Sequence, residues 1–250
     1  MYLLLSGEGL TDIGVCTPAS DSCDADTFQP GPMAWIVDQL MDSFLDYDFS
    51  HIQTMRVSFV SEHFLATHKQ RPQKKSMSLR GKKKPAETKY YYENARALAT
   101  AAKDKTIEVD DNVIAVLFRD ADGTASAGRG NWRDKRISMI NGFKVEEFVL
   151  GVPMIPKPKS EAWLLCAVKD NPYQGCENIE QESGSDKGTN PLKRQLSNAL
   201  AGNDSASDLN KIVQENIDLH EIQMPSFEAF KNDLNKVVAI ATGTLQEPKI

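Results

Sequence analysis

Acidic side chains follow two apolar segments of this sequence, at the points where predicted strands end. Glu8 comes after the apolar residues 2–5, and Asp120 and Asp122 come after the apolar residues 113–118. Apolar runs of this length between turn residues are typical of strands buried on both faces of a parallel sheet. Ligands of open α/β sheets bind outside the carboxyl ends of such strands, and carboxylate oxygens are the ligands that Mg²⁺ prefers. The two segments therefore predict a divalent-cation site at one edge of a sheet.

Such a site could cut a phosphodiester, because two divalent cations can stabilise the attacking and the leaving oxygens of the reaction. Gly7 and Gly9 flank Glu8, and Gly123 follows the acidic pair, so the backbone can turn tightly around each acid. The alternative is that these are ordinary turn residues, since Asp and Gly are common between strands and helices. The occurrence of acids at two strand ends favours the metal site.

The elements around these acids alternate between strands and helices. Strands are predicted at about 2–6, 55–60, 113–119 and 143–150. Helices are predicted at about 32–44, 86–103, 131–142, 160–168, 191–201 and 205–218 and after Pro225, with Asn131, Ser160 and Ser226 as N-caps. This alternation predicts an α/β fold with a mostly parallel sheet flanked by helices. We expect a core at 1–170, and a polar insertion and C-terminal helices at 171–250 that pack on it; residues 14–32 are predicted to be a loop.

Composition narrows the class of protein. The chain has 250 residues, 40% of them apolar, and no stretch approaches the roughly 20 apolar residues of a membrane span. Strand-like sequence begins at Tyr2, which leaves no room for a signal peptide, so a cytoplasmic protein is predicted. The cysteines show no C-x-x-C spacing and are expected to be free thiols: Cys16, Cys23, Cys166 and Cys176. His63 and His68 are interpreted as residues that do not bind a metal.

A strongly basic segment lies between Lys69 and Lys89, where nine cations accompany a single acid in a protein of net charge −6. Its central cations are Lys74, Lys75, Arg80, Lys82, Lys83 and Lys84. A charge run is usually a solvated surface, but this one also fits a nucleic-acid contact that releases counterions. Both interpretations stay open, and the segment is predicted to be a loop.

Two further observations connect the motifs to a family. Glu8-Gly9-x-Thr11-Asp12 after the first strand and Asp120-x-Asp122 after a later strand resemble the TOPRIM fold of topoisomerases, primases and OLD-type nucleases. The segments 156–165 and 224–230 resemble a group of stand-alone bacterial TOPRIM-like proteins of about this length, which are linked to anti-phage defence operons. The resemblance covers nearly the whole chain, although its motifs are short. It implies a TOPRIM-like Rossmannoid fold with a helical C-terminal extension.

The resemblance also implies roles for individual residues. Glu8 corresponds to the TOPRIM glutamate, Asp120 and Asp122 to its acidic pair, and Asp12 to a second acid of the nuclease-type members. These residues are expected to hold Mg²⁺ or Mn²⁺, with Glu8, Asp120 and Asp122 also catalytic.

Two candidates come from later in the chain. Glu161 lies where such proteins often place another acid, although the helix dipole equally explains an acid in a first helical turn. Lys193 could stabilise phosphate charge, as a lysine does in OLD-type nucleases, or simply face solvent. Arg119, before the acidic pair, could touch a phosphate or pair with a neighbouring acid.

Taken together, these features predict a Mg²⁺- or Mn²⁺-dependent nuclease that acts on DNA or RNA and is the effector of a defence system. The alternative is a catalytically inactive TOPRIM-like module that binds nucleic acid or a partner ATPase. No Gly-x-x-x-x-Gly-Lys-Ser/Thr motif is present, so any ATPase would be a separate subunit. A homo-oligomer is also among the expected assemblies, and a membrane is not.

Overall fold

The computed structural model of the chain describes residues 1–9, 11–69, 86–121 and 131–245. The strands in these ranges are β1 (Tyr2–Gly7), β2 (Gly14–Cys16), β3 (Ser22–Asp24), β4 (Phe28–Pro30), β5 (Val57–Ser61), β6 (Val113–Phe118) and β7 (Gly151–Met154). The helices are α1 (Pro32–Ser43), α2 (Glu62–Thr67), α3 (Ala86–Val109), α4 (Trp132–Val145), α5 (Ser160–Val168), α6 (Cys176–Ile179), α7 (Leu192–Ala199), α8 (Ala206–Asn216) and α9 (Pro225–Ala241). In the part of the chain described, no helix is both long and apolar enough to cross a membrane.

The central sheet has the strand order β3-β5-β1-β6-β7, and only β3 runs antiparallel to its neighbour. Strands β2 and β4 form a separate antiparallel pair. The predicted α/β architecture, with a mostly parallel sheet between helices, is confirmed. Gly7 at the end of β1 is in register with Ser61 of β5 and with Phe118 of β6. The next residue of each strand therefore leaves the sheet at the same edge.

The two faces of the sheet carry separate hydrophobic clusters, because successive side chains of a strand point to opposite faces. Leu3 and Leu5 of β1 lie in a cluster with α1, α5 and α9, whereas Leu4 lies in one with α3 and α4. Trp163 of α5 stacks on Phe230 of α9 at 5.7 Å between ring centroids. The C-terminal helices thus share the core that contains β1.

The predicted strand at 143–150 is wrong. Helix α4 continues through Gly142 to Val145, and β7 starts only at Gly151. Position 142 lies inside the helix but requires a glycine, because a side chain there would collide with α3: a Cβ atom would lie 2.5 Å from the carbonyl oxygen of Tyr92. Gly142 was interpreted as the end of a helix, but it instead allows α4 to pack closely against α3.

The predicted loop at 14–32 is also wrong, since it contains β2, β3 and β4. The free-thiol prediction is wrong as well: Cys16 bonds to Cys23, and Cys166 bonds to Cys176. Chain reversals between the partners bring them together, and such reversals leave no spacing signature. The prediction of a reducing compartment rested in part on free thiols and loses that support.

The predicted N-caps have mixed outcomes. Asn131 caps α4, with its side chain accepting a hydrogen bond of 3.0 Å from the backbone N–H of Asp134. Ser160 and Ser226 instead lie within the first turn of their helices. The Ser226 hydroxyl accepts a hydrogen bond from the indole of Trp163, and the Ser160 hydroxyl turns toward the acids at the sheet edge.

Candidate active site at the carboxyl edge of the sheet

Four of the predicted acids meet at the carboxyl edge of the sheet. The backbone N–H of Asp120 donates a hydrogen bond of 3.1 Å to Oε1 of Glu8, which joins the ends of β6 and β1. Ser160 at the start of α5 connects the others. Its N–H donates to Oδ1 of Asp120 at 2.9 Å, and its hydroxyl donates to Oδ1 of Asp12 at 2.8 Å and lies 3.4 Å from Oε2 of Glu161.

The chain after β1 brings the Asp12 carboxylate back against Gly9. Gly9 has a φ of +82°, and a Cβ atom on it would lie 2.4 Å from Oδ2 of Asp12. A glycine is therefore needed here both for its conformation and for the space that the Asp12 carboxylate occupies. The carbonyl oxygen of Asp12 accepts a hydrogen bond of 2.9 Å from the N–H of Met33, which fixes the turn against the first residues of α1.

Ser160 is a residue of the site, although the sequence predicted it as the N-cap of a helix. It is buried, and its N–H is one of the amide groups that the first turn of a helix leaves without an intrahelical partner. The Asp120 carboxylate satisfies that group. The misplaced strand at 143–150 hid this role, because only a strand ending at Met154 brings the following residues 155–161 to the same sheet edge as Glu8.

The pKa values of Asp120 and Asp12 are both raised in this buried and crowded cluster. Burial raises the pKa of Asp120 well above its usual value, and the charges of Asp12, Glu161 and Glu8 raise it further, against the hydrogen bond from Ser160. Burial likewise raises the pKa of Asp12, with the Ser160 hydroxyl lowering it and Glu161 raising it. Both carboxyl groups are therefore in surroundings that disfavour their charge.

Three cations of the described residues border this cluster. Arg119 lies 2.9 Å from Oε2 of Glu8 and 2.7 Å from Oε1 of Glu62, and its guanidinium lies 4.2 Å from the ring centroid of Tyr90. Burial opposes its charge, but Glu8 and Glu62 outweigh burial and raise the pKa of Arg119. Of the two roles considered for Arg119, pairing with a neighbouring acid is the one observed.

Lys159 and Lys193 are the other two cations, and both lower the pKa of Asp12. Lys159 pairs with Asp186 at 2.9 Å, so part of its charge is already matched. Lys193 in α7 is exposed to solvent, as one interpretation of the sequence held, yet its charge reaches the acidic cluster.

The remaining predicted residues lie outside the described part of the chain. They are Asp122 and the six basic residues Lys74, Lys75, Arg80, Lys82, Lys83 and Lys84. Their predicted roles stay predictions.

No family model, no curated protein and no solved structure matches this chain. The TOPRIM resemblance therefore rests on the sequence motifs, and what the structure adds is an α/β fold with a mostly parallel sheet.

The donor set suits a hard divalent cation, although the described side chains are not arranged around one. Among the described residues, no group of three or more His, Cys, Asp or Glu side chains has the geometry of a metal site. Arg119 occupies Oε2 of Glu8, while Ser160 occupies one oxygen each of Asp12 and Asp120. The chemistry nevertheless fits, since the donors are all carboxylate oxygens and burial disfavours their charge unless a cation is near.

A cleft with a volume of about 620 Å³ opens beside Glu8. The residues that line it include Gly7, Glu8 and Gly9 from the end of β1, together with Asp21, Glu62 and His63. Another cavity of about 350 Å³ lies between α4, β7 and α9, but none of the acidic site residues lines it. Glu8 thus connects the acidic cluster to the cleft, whereas Asp12, Asp120 and Glu161 are not among the residues that line it.

Proposed function

We propose that this protein is a Mg²⁺- or Mn²⁺-dependent nuclease of the TOPRIM type that hydrolyses phosphodiester bonds of DNA or RNA. One observation carries the proposal: Glu8, Asp12, Asp120 and Glu161 converge at the carboxyl edge of a parallel sheet, in surroundings that raise the pKa of two of them. Such a cluster costs free energy in folding unless a cation is bound. The proposed role as an effector of anti-phage defence has a separate support, which is the resemblance of residues 156–165 and 224–230.

Glu8, Asp12 and Asp120, with Asp122 from its place in the sequence, are the residues that would hold the metal. A bound divalent cation supplies positive charge that polarises the phosphodiester and makes water a better nucleophile. Ser160 fixes the rotamers of Asp12 and Asp120 through its hydroxyl and its N–H. A carboxylate of the cluster takes the proton of the attacking water, and Glu8, at the wall of the cleft, is the one that faces open volume.

The cations have roles that follow from their positions. Arg119, held over Tyr90, pairs with Glu8 and Glu62, which both line the cleft, and so orients these two carboxylates. Lys193 adds positive charge near Asp12. The basic segment 69–89 is proposed to guide the strand by contacts with phosphates.

The decisive experiment is a cleavage assay on DNA and on tRNA with Mg²⁺ or Mn²⁺, in which wild type is compared with Asp120→Ala. We expect metal-dependent cleavage by wild type and none by the variant. Asp134→Ala, which changes an exposed acid at the start of α4, controls for a general effect of losing one carboxylate. Cleavage by wild type and Asp120→Ala at equal rates would remove the acidic edge as the site.

The second candidate is a TOPRIM-like module that binds nucleic acid or a partner ATPase without cleaving. The ion pair between Arg119 and Glu8 favours it, because that pair occupies the carboxylate that a nuclease needs. Binding of nucleic acid with no cleavage under either metal would support this candidate.

A further inference from the structure

A histidine and an aspartate form a hydrogen-bonded pair at the wall of the cleft that Glu8 also lines. Nδ1 of His63 lies 2.8 Å from Oδ2 of Asp21. Since a carboxylate can only accept, Nδ1 carries the proton and Nε2 is the other ring position. Among the residues that the structure describes, Nε2 of His63 has no hydrogen-bond partner. His63 thus has one nitrogen fixed and the other available.

The fold of residues 14–30 positions Asp21 beside His63. Strand β3 pairs with β5, and the Cys16–Cys23 disulfide closes the turn that carries Asp21. The N–H of Ser61 donates to the carbonyl oxygen of Asp21 at 2.8 Å, and the Ser61 hydroxyl donates to Oδ1 of Asp21, also at 2.8 Å. Asp21 is therefore held by its backbone and by both carboxylate oxygens, although it is exposed.

The helix that carries His63 begins directly at the functional edge. Helix α2 starts at Glu62, the residue after β5, and Glu62 is the second partner of Arg119. His63 is the next residue, and it lines the same cleft as Glu8. The charged residues that line the cleft with His63 include Asp21 from the β2–β3 turn, Glu62 from α2 and Glu8 from the end of β1, and Arg119 pairs with Glu8 and Glu62. The hydrogen bond to His63 lowers the pKa of Asp21, and His68, directly after α2, lowers it to a smaller extent.

We propose that His63 is the general acid of the phosphodiester hydrolysis, and that Asp21 is a positioning residue that orients it. The inference rests on the proposed function. The hydrogen bond of Nδ1–H to Asp21 fixes the ring and leaves Nε2–H as the position that can give a proton to a group bound in the cleft. Since Glu8 lines the same cleft, an acid and a base border one volume that can hold a phosphodiester.

Hydrolysis of a phosphodiester of this kind releases an alcohol as the leaving group. The oxygen of water forms a bond to phosphorus, and its proton passes to the carboxylate base. The bond from phosphorus to the leaving oxygen breaks, and Nε2–H of His63 gives its proton to that oxygen. The products are a phosphomonoester and an alcohol, and solvent then returns a proton to His63 and takes one from the base.

Two substrates with different leaving groups test this role. An oligonucleotide releases an alkoxide, which needs a proton, whereas bis(p-nitrophenyl) phosphate releases a stable phenolate, which does not. We expect His63→Gln to lower kcat on the oligonucleotide by about 10²-fold or more, and to leave hydrolysis of the nitrophenyl ester unchanged. The alkaline limb of the pH–rate profile on the oligonucleotide should disappear in the same variant.

Two further variants sharpen the test. His68→Gln changes a histidine of the same neighbourhood whose ring stacks on Phe64 at 3.9 Å and whose Nδ1 lies 2.9 Å from the Phe64 carbonyl oxygen. It should behave as wild type on both substrates. Asp21→Asn keeps one acceptor oxygen, where Asp21 offers one to Ser61 and the other to His63, and it loses the charge. It should show the same selective loss as His63→Gln at smaller amplitude.

The outcomes separate the two proposals. If His63→Gln loses kcat equally on both substrates, or on neither, the role of His63 is overturned. Wild-type activity that depends on Asp120 would still uphold the metal site in that case. If wild type hydrolyses neither substrate with Mg²⁺ or Mn²⁺, the proposed function fails and the role of His63 fails with it. Circular dichroism of each variant shows that the fold is retained.

Discussion

The two ends of β6 carry acids in opposite circumstances. At the amino end, Asp111 accepts hydrogen bonds from the ammonium group of Met1 and from Arg56. Burial opposes its charge, but these two cations outweigh burial and lower the pKa of Asp111. At the carboxyl end, Asp120 is more deeply buried, faces three other carboxylates and has a raised pKa.

The acid at the amino end is paired with cations and stabilises the fold, whereas the acids at the carboxyl end lower the stability of the folded protein. The Asp111 cluster has its cations built in, so its charge needs nothing from outside the protein. Arg119 is committed to Glu8 and Glu62, which leaves the charges of Asp12 and Asp120 only partly matched by Lys159 and Lys193. Acids that work against folding are retained where they serve binding or chemistry.

The largest expected difference between the two ends is in catalysis. Asp12→Asn should lower phosphodiester cleavage by at least about 10²-fold, because losing a metal ligand removes several kcal/mol of charge stabilisation. Asparagine keeps an acceptor for the Ser160 hydroxyl, so the fold around residue 12 is retained. Asp111→Asn should cleave as wild type does, and equal losses in both variants would contradict the contrast.

The next effect is stabilisation by metal. Mg²⁺ or Mn²⁺ at about 100 times its Kd should stabilise the folded wild-type protein by about 2.7 kcal/mol, since only the folded state offers the assembled site. Thermal melts at several metal concentrations measure this as a rising Tm. Asp120→Asn should show no such rise, and Asp111→Asn should show all of it. A rise that is the same in all three proteins would place the metal elsewhere.

The smallest effect is a pair of opposite dependences of stability on pH. Asp120 and Asp12 keep their protons to a higher pH in the folded protein than in the unfolded chain, where Asp titrates near about pH 4. Their contribution to the free energy of unfolding is therefore full below about pH 4 and is lost as pH rises through the raised pKa values. Asp111 acts in reverse: its contribution is present above about pH 4 and is lost as pH falls through its lowered pKa.

Urea denaturation across this range can isolate each contribution. As pH rises from about 4 to about 7, Asp120→Asn should gain stability relative to wild type. As pH falls below about 4, the stability deficit of Asp111→Asn relative to wild type should shrink, because wild type then loses the contribution of Asp111. Parallel curves for the two variants would show that the ends of the strand do not differ in the way described.

The sequence predicts the parts of this molecule that depend on local pattern. The unbroken apolar runs of β1 and β6 mark strands buried on both faces, and the acids after them mark the sheet edge. The same is true near the C-terminus, where the apolar spacing after Pro225 predicted a helix that matches α9.

Features that depend on contacts distant in sequence could not be predicted. Gly142 is set by the approach of α3, and the pairing of Cys16 with Cys23 by the reversal that β3 makes when it joins β5. Ser160 has the sequence context of an N-cap, and only the true position of β7 shows that its hydroxyl serves Asp12. His63 gave no signal because its partner, Asp21, lies in a segment interpreted as a loop.

The edges of the central sheet restrict how copies of this chain can associate. One edge strand, β3, has three residues, and the other, β7, contains Pro153, which has no N–H to offer a further strand. Neither edge of the described sheet is thus a good template for strand addition. If the protein forms the homo-oligomer expected from its sequence, the contacts should be made by helical surfaces, and the sheet should stay within one subunit.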